Sequence, residues 1–298
     1  MKSVRFVLLI LTVSLFFTDL FAQDDNDVIS VDSSIVVVNV AITDSGGKAV
    51  TGLKQQLFKV FEDGLEQKVE SFQSAETPFA AVILLDTSGS MEERVSLARA
   101  ATIQFLAGLR TDDFAAIYNF DSRVVMVQDF SNSHDMRDQV FDLKSSGMTV
   151  LNDAVYKAAE ILSKRMEKRR AIIVLSDGAD TMSGKSADNA LQAALATGCT
   201  IYTVDMSAIS DNSAGRRRNQ GVLKDFAEKS GGKFITTPGG LAMHDAFRSI
   251  VAELGVQYTL TYQPSNSKKD GKWRAIELSV SRPNLSIRTR KGYKAPRR

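Results

Sequence analysis

The length, composition and charge of this chain exclude several classes of protein. Its 298 residues allow one or two domains with a sizeable core, and 44% apolar with 24% charged residues is ordinary for a globular protein. Lys and Arg number 37 against 35 Asp and Glu, which argues against nucleic acid as the main partner, because phosphate binding usually shows as a basic excess. The single cysteine, Cys199, excludes an intramolecular disulfide.

The first 22 residues have the pattern of a signal peptide. Lys2 and Arg5 precede an apolar run, Phe6–Phe17, that is too short to span a bilayer comfortably, and Ala22 offers a small residue for cleavage. No second apolar run of membrane length follows in the sequence. We therefore predict an exported protein, periplasmic or secreted, without a membrane span after cleavage. An uncleaved N-terminal anchor is the alternative.

Residues 33–75 are predicted to form the first part of a β domain. The segment starts with a run rich in Val and Ile, which favours a strand. Phe58–Glu62 and Gln67–Phe72 flank Asp63-Gly64, a dipeptide suited to a tight turn, and predict a hairpin. A few strands cannot bury much surface alone, so further strands are expected elsewhere in the chain.

Residues 78–254 alternate strands with helices and predict a doubly wound α/β domain. Ala80–Leu85 and Arg170–Ser176 have the continuous apolar sequences of buried parallel strands. Two further strands are joined only by Asp121-Ser122 and must be antiparallel, which predicts one antiparallel strand at an edge. The predicted helices are 92–109, 134–143, 152–166, 187–197, 222–230 and 241–254.

Residues 256–296 again contain strand patterns without helices. The predicted strands are 257–262, 273–281 and 285–290. A β segment thus precedes and follows the α/β segment. We predict that 33–75 and 256–296 pair in one small β-sandwich into which the α/β domain is inserted.

Three loops that leave predicted strands carry small oxygen-bearing side chains. The first contains Asp86, Ser88 and Ser90 in D-x-S-x-S spacing, the second contains Thr149, and the third contains Asp177. Ligands bind at the carboxyl ends of the strands in open α/β sheets, so these side chains are expected to meet at a binding edge. Each motif alone also fits a helix cap or a turn, and it is their combination that indicates a site.

The three loops together resemble the metal-ion-dependent adhesion site of von Willebrand factor type A domains. The resemblance covers about residues 78–254. It implies that Ser88 and Ser90 bind a divalent cation directly, that Thr149 binds it directly or with the ligand, and that Asp86 and Asp177 hold ordered waters. The implied cation is Mg²⁺, or else Mn²⁺ or Ca²⁺, and the implied partner is a protein that supplies an Asp or Glu carboxylate.

The chemistry of such a site is physically sound. Mg²⁺ prefers oxygen ligands in an octahedron and keeps several waters. Neutral hydroxyls add no negative charge to its ligands, so the cation remains electrophilic and accepts one further anionic ligand. Carboxylates behind the waters orient them without quenching the charge.

The flanking segments resemble an exported bacterial subfamily of type A domain proteins. That subfamily starts with V-x-V-x-V-x-D-x-x-G, followed by an F-x-V-x-E-D-G-x-x-Q hairpin and, near the end, R-K-G-Y. This chain departs from the pattern in one place, with Ile42 where the third Val is expected. The matching residues are Val38, Val40, Asp44, Gly47, Phe58–Gln67 and Arg290–Tyr293.

The leading prediction is a non-enzymatic, metal-dependent protein-binding module of the adhesion type. The alternative from another class is a Mg²⁺-dependent phosphoryl-transfer hydrolase with Asp86 as nucleophile. Such enzymes usually carry a second acidic residue two positions later, where this chain has Ser88. A third possibility is a scaffold with a vestigial site.

A polar stretch after the predicted strand 200–204 is expected at the same edge as the three loops. Residues 207–220 are predicted as a loop and contain Arg216, Arg217 and Arg218. Binding residues concentrate on loops at such edges, and this loop is predicted to help select the partner.

Overall fold

The computed structural model describes residues 35–74, 77–134, 147–208, 213–236 and 241–297. The predicted signal peptide, 1–22, and all but the first residue of the predicted helix 134–143 lie outside the described residues. Within the described part of the chain, no helix is long and apolar enough to cross a membrane.

The strands and helices of the described residues follow one another along the chain in this order. They are β1 (Val36–Thr43), β2 (Phe58–Glu62), β3 (Leu65–Gln67), β4 (Val69–Gln73), β5 (Phe79–Asp86), α1 (Val95–Ala107), β6 (Phe114–Phe120), β7 (Val124–Ser131), α2 (Leu151–Ser163), β8 (Arg169–Ser176), α3 (Ala187–Ala196), β9 (Cys199–Asp205), α4 (Ala214–Ser230), β10 (Phe234–Thr236), α5 (Leu241–Val256), β11 (Tyr258–Tyr262), β12 (Trp273–Val280), β13 (Ser286–Thr289) and β14 (Gly292–Lys294).

A six-stranded sheet lies at the centre of the molecule, in the order β10-β9-β8-β5-β6-β7. All neighbours are parallel except β6 and β7, so the antiparallel strand lies at an edge as predicted. Every residue of β5 is buried, because α1 and α5 pack on one face of the sheet and α2, α3 and α4 on the other. The predicted doubly wound α/β fold is confirmed.

The two β segments pair with each other in two antiparallel four-stranded sheets. Their orders are β13-β1-β11-β4 and β14-β12-β2-β3, so each sheet combines strands from both sides of the α/β segment. A shared apolar core lies between them and includes Val38, Val60, Tyr258 and Leu260. The predicted insertion of the α/β fold into a β-sandwich is therefore confirmed.

The predicted hairpin between Phe58 and Phe72 is correct at its turn but wrong in its second strand. Asp63 and Gly64 both have positive φ, 48° and 82°, as a tight primed turn requires. Only the three residues of β3 pair with β2, however, and β4 joins the other sheet beside β11. This crossing places the Phe72 ring against Phe58 and Tyr258, with centroids 5.0 Å and 5.7 Å away.

The predicted loop 207–220 is wrong in its second half, because α4 already begins at Ala214. The Ser213 hydroxyl caps this helix by accepting the Arg216 N–H at 3.0 Å. The buried residues of α4 start only at Leu223, so its first two turns carry no apolar stripe that a sequence pattern could reveal.

A buried arginine lies where the chain passes between the β-sandwich and the α/β sheet. Arg169, the first residue of β8, is 0% exposed and pairs in register with Phe79 at the amino end of β5. Its guanidinium donates to six oxygens on the two connecting segments: the carbonyls of Ser74, Thr77, Leu254, Gly255 and Gln257 and the hydroxyl of Thr259. We call this set the arginine clamp.

The arginine clamp fixes the β-sandwich at the amino ends of the parallel strands. Arg110 reinforces it by donating to the carbonyls of Thr77 at 3.1 Å and Gly255 at 3.4 Å. Arg110 is itself paired with Asp113 at 2.8 Å. The carboxyl ends of the same strands therefore point away from the sandwich.

Candidate metal centre

Asp86 ends β5 and is the buried centre of a hydrogen-bond network, with an exposed fraction of 0%. Its Oδ1 accepts the Ser88 backbone N–H at 2.9 Å and the Ser88 hydroxyl at 2.5 Å. Its Oδ2 accepts the Ser176 hydroxyl, also at 2.5 Å. One carboxylate thus joins the loop after β5 to the end of β8.

The environment of Asp86 opposes its negative charge. Burial raises the pKa of this carboxyl to about 6, the hydrogen bonds from Ser176 and Ser88 act in the opposite direction, and the charge of nearby Asp177 raises it further. No described Lys or Arg forms an ion pair with Asp86. A cation beside this network would favour the ionised carboxylate.

Ser88 and Ser90 present two neighbouring hydroxyls to the same side of the loop. Their oxygens are 3.1 Å apart. Adjacent ligands of an octahedral Mg²⁺, each at ~2.1 Å from the ion, are separated by about 3 Å. Ser88 gives its proton to Asp86, so its oxygen lone pairs remain able to face a cation. The spacing fits two cis ligands.

Thr149 is fixed by backbone contacts from two directions. The Gly89 N–H donates to the carbonyl of Gly147 at 3.4 Å and brings the first loop to the second. The Thr149 N–H donates to the Thr181 hydroxyl at 2.9 Å, and its carbonyl accepts the N–H groups of Thr181 and Met182 at 2.9 Å and 3.1 Å. Among the described residues nothing hydrogen-bonds the Thr149 hydroxyl, which leaves it able to bind a ligand.

Asp177 belongs to the third loop and is half-buried. Its Oδ1 accepts the Ala179 N–H at 2.9 Å. Its negative charge contributes to the raised pKa of Asp86. The next residue, Gly178, has φ of 79°, and a Cβ there would lie 2.6 Å from the Asn219 carbonyl oxygen of α4. A glycine is required at this position, and the third loop therefore packs closely against the early part of α4.

Sequence reasoning missed Ser176, which precedes Asp177 at the end of β8. Its fully buried hydroxyl donates to Asp86 and accepts the Gly178 N–H at 2.9 Å, so it links the first loop to the third. A small hydroxyl residue that interrupts the apolar sequence of a buried strand was the available signal.

The arrangement as a whole fits a cation bound by hydroxyl oxygens. Hydrogen bonds connect the three loops that carry Asp86, Ser88, Ser90, Thr149 and Asp177. In the described residues no group of three or more His, Cys, Asp or Glu could hold a metal ion, so a conventional carboxylate cage is not formed there. Neutral oxygens with two carboxylates close by suit Mg²⁺ better than a soft metal.

A second turn of the same geometry follows β9, which lies two strands from β5 in the sheet. Asp205 ends β9, and its Oδ1 accepts the N–H and the hydroxyl of Ser207 at 2.9 Å and 2.5 Å, as in the Asp86 turn. Its Oδ2, however, accepts from Gln220 at 2.6 Å and lies 3.6 Å from the Arg216 guanidinium. The protein supplies its own cation to Asp205 but not to Asp86.

Comparisons with known proteins agree with this fold. A family model of the von Willebrand factor type A domain matches residues 81–179. A solved von Willebrand factor type A protein from Catenulispora acidiphila has 14% identity and a TM-score of 0.51, covering 87% of this chain and 73% of its own. No curated protein matches the chain.

Two other solved structures are similar to part of the chain. The conserved hypothetical protein BatB from Bacteroides thetaiotaomicron has 16% identity and a TM-score of 0.49, covering 59% of this chain and 98% of its own. The vWF domain of the type V pili tip protein Mfa5 from Porphyromonas gingivalis has 15% identity and a TM-score of 0.49, covering 60% and 95%.

Residues 81–179 of the α/β segment match the von Willebrand factor type A domain. The family match spans the first and second loops and part of the third, from within β5 to Ala179. At 14% identity, the Catenulispora acidiphila structure supports the fold alone. The exported bacterial subfamily suggested by the flanking motifs stays a prediction.

Proposed function

We propose that this protein is an exported, metal-dependent protein-binding module. A divalent cation, Mg²⁺ or else Mn²⁺ or Ca²⁺, is bound by Ser88, Ser90 and Thr149, while Asp86 and Asp177 hold its waters. When bound, the cation supplies an electrophilic site for a carboxylate of a protein partner.

The observation that carries the proposal is the buried Asp86 carboxylate without a protein cation. It organises hydroxyls from two loops while its own charge is opposed by burial and by Asp177. The Asp205 turn at the end of β9 has the same local geometry, but its charge is neutralised by Arg216. The difference is the one expected if Asp86 is completed by a cation from solution.

The same geometry disfavours the hydrolase alternative. A nucleophilic aspartate needs an accessible oxygen with a free lone pair directed at substrate. Asp86 is 0% exposed, and both of its oxygens accept hydrogen bonds from serine hydroxyls. A generic aryl phosphatase assay would detect the alternative activity.

Export is part of the proposal and rests on the N-terminal sequence pattern. Lys2 and Arg5 before the apolar run to Phe17, and a small residue at Ala22, support secretion through the inner membrane. Mass determination of the N-terminus of the protein recovered from its native host tests cleavage after Ala22.

The test of the metal centre is a Mg²⁺ titration by calorimetry, with thermal melting in parallel, on protein lacking residues 1–22. A ligand at a hundredfold excess over Kd stabilises the native state by about 2.7 kcal/mol, so Mg²⁺ should raise the melting temperature and a chelator should reverse it. Ser88→Ala and Asp86→Ala should lose both the heat and the melting shift.

Ser207→Ala is the matched control, because Ser207 makes the same two bonds to Asp205 that Ser88 makes to Asp86. It should retain the full Mg²⁺ response. If wild-type protein gives no heat and no melting shift with Mg²⁺, Mn²⁺ or Ca²⁺ at millimolar concentration, even with free glutamate present as a carboxylate, the proposal is wrong and a vestigial site remains.

A further inference from the structure

A turn of the β-sandwich, residues 263–272, carries a cluster of exposed cations. Three of them lie in the turn itself: Lys268, Lys269 and Lys272. An isolated antiparallel bridge joins Asp270 to Arg297, and a Cβ on Gly271 would lie 2.4 Å from the Arg297 Nε, so a fourth exposed cation lies against the same turn. We call these four side chains the basic end of the sandwich.

The carboxylates near the basic end offset its charge only in part. Between positions 263 and 297 the sequence has two acidic residues, Asp270 and Glu277. Asp270 is paired with Arg274 at 3.0 Å, while Asp63, between β2 and β3, accepts the Ala275 N–H at 2.9 Å. Asp63 and Glu277 thus remain against four cations, and the basic end keeps an excess of positive charge. Within the described ranges, no ion pair involves Lys268, Lys272 or Arg297.

The one tryptophan of the chain lies directly beside the basic end. Trp273 follows Lys272 and pairs in register with Lys294 of β14. The Lys294 ammonium is 2.9 Å from a carboxylate oxygen of Asp188 in α3, which balances its charge. The indole lies over Gly292, where a Cβ would come within 2.5 Å of the ring, and it is still 40% exposed. The glycine thus lets the ring rest on β14 while much of it remains open to solvent.

An exposed indole next to several cations matches the surface of an anionic lipid bilayer. Lys and Arg near such a surface are attracted by its negative potential, and Trp prefers the level of the head groups, where one part of its ring is apolar and the other is wet. A soluble polyanion would use the cations but would gain less from the exposed ring. The combination therefore favours a bilayer over a soluble anion.

We propose that the basic end and Trp273 bind the surface of a bilayer that contains anionic phospholipids. The four cations contact the lipid phosphates, and the indole enters the head-group region as part of a peripheral contact. The surface belongs to the β-sandwich and shares no residue with the proposed metal centre. Binding to the bilayer is therefore independent of the divalent cation.

The test uses the mature protein, residues 23–298, and lipid vesicles, with chelator present throughout. One set of vesicles is phosphatidylcholine alone, and in the other set part of the lipid is phosphatidylglycerol. Because Trp273 is the one tryptophan, its fluorescence reports the proposed contact itself. The anionic vesicles should sediment with the protein and shift the emission to shorter wavelength. Added salt should reverse both effects, and neutral vesicles should produce neither.

Two matched triple variants each remove two lysines and one arginine from exposed positions. The first, Lys268→Ser with Lys272→Ser and Arg297→Ser, should weaken binding to anionic vesicles roughly a hundredfold, at about fivefold for each cation. The control, Lys48→Ser with Lys164→Ser and Arg282→Ser, changes residues outside the basic end and should bind within about twofold of wild type.

A further variant removes the indole and keeps the cations. Trp273→Ser should weaken vesicle binding in the sedimentation assay roughly tenfold, because the burial of the ring is lost. Thermal melting of every variant checks that the fold is kept.

Three results would overturn the proposal. The first is wild-type protein that does not bind anionic vesicles, and the second is an equal loss in the two triple variants. The third is sedimentation without an emission shift, because the indole then stays in water. If vesicles do not bind and the emission of free protein shifts to longer wavelength in the first triple variant, the basic end is covered by the acidic residues of this chain itself: Asp24, Asp25 and Asp27. Because chelator is always present, none of these results bears on the metal-dependent function.

Discussion

The two ends of the strands in the central sheet bury groups of opposite charge. At the amino ends of the strands, the buried Arg169 cation is surrounded by carbonyl and hydroxyl oxygens that the chain itself provides. At the carboxyl ends, the buried Asp86 anion is surrounded by hydroxyls and by a second acid, Asp177. The first edge is complete within the fold, and the second is suited to completion by a cation from outside.

This contrast predicts that substitutions at the two edges affect different properties of the protein. Arg169 satisfies the backbone of both connecting segments, so a change there disturbs the junction with the β-sandwich. Asp86 orders short side chains on loops that face away from the sandwich, so a change there alters the site with little effect on the sheets. Three predictions test this division, in order of expected effect.

Arg169→Met should cause the largest loss. It removes the donors to six oxygens, of which the Thr77 and Gly255 carbonyls keep a second donor in Arg110, at a cost of about 3–5 kcal/mol in the free energy of unfolding. Urea denaturation measures this. Arg282→Met, at an exposed position, is the control and should stay within about 0.5 kcal/mol of wild type. A loss under 1 kcal/mol for Arg169→Met would show that the clamp is not needed.

The metal-free protein should lose stability between pH 4 and pH 6 because of Asp86. Burial, opposed by its hydrogen bonds, raises the pKa of Asp86 from 3.8 to about 6 in the folded state. The folded state then binds more protons than the unfolded state in this window, so stability is full below it and falls by about 2–3 kcal/mol as pH rises through it.

Denaturation of dialysed, metal-free protein at several pH values checks this, with Asp86→Asn as the comparison. The variant cannot ionise at this position, so its stability relative to wild type should increase from pH 4 to pH 7. Other carboxyls are common to both proteins and cancel in the difference. A difference that does not change with pH would mean that the folded protein tolerates the Asp86 charge without a cation.

Ser176→Ala should give a smaller effect that is confined to the carboxyl edge. The variant frees Asp86 Oδ2 and the Gly178 N–H, which should lower apo stability by about 1–2 kcal/mol and weaken Mg²⁺ binding roughly tenfold. Ser176→Thr keeps the hydroxyl and should restore Mg²⁺ affinity. Calorimetry of both variants decides, and wild-type Mg²⁺ affinity in Ser176→Ala would remove Ser176 from the site.

The α/β architecture was predictable because its signals are local. The continuous apolar sequence of Ala80–Leu85 indicates a buried parallel strand, and the two-residue link at Asp121-Ser122 permits only an antiparallel pair. The convergence of Asp86 and Asp177 followed from the rule that parallel strands end at one edge. Thr149 precedes α2, and only the family resemblance indicated its place. Their roles as metal ligands stay predictions.

The features that sequence reasoning missed depend on contacts between distant residues. The first turns of α4 look polar and are stabilised by Ser213 and by Gln220 bonding back to Asp205. β4 joins the other sheet by pairing with β11, and the Phe72 ring packs on Tyr258, which lies far along the chain. Ser176 gains its role only when β8 pairs beside β5. No local pattern of residues in the sequence indicates any of these contacts.

The position of β1 has a consequence for how the chain assembles. Asn39, in the middle of this strand, bonds to Thr259 and Thr289, 220 and 250 residues away. During synthesis, the α/β segment has all of its strands before either neighbour of β1 exists. Long-range pairing of this kind is slow to form, and an unpaired apolar strand is prone to aggregate. β1 is the first of the described strands to be synthesised and is therefore among the last to pair. Until then, something other than its native contacts must keep it from aggregating.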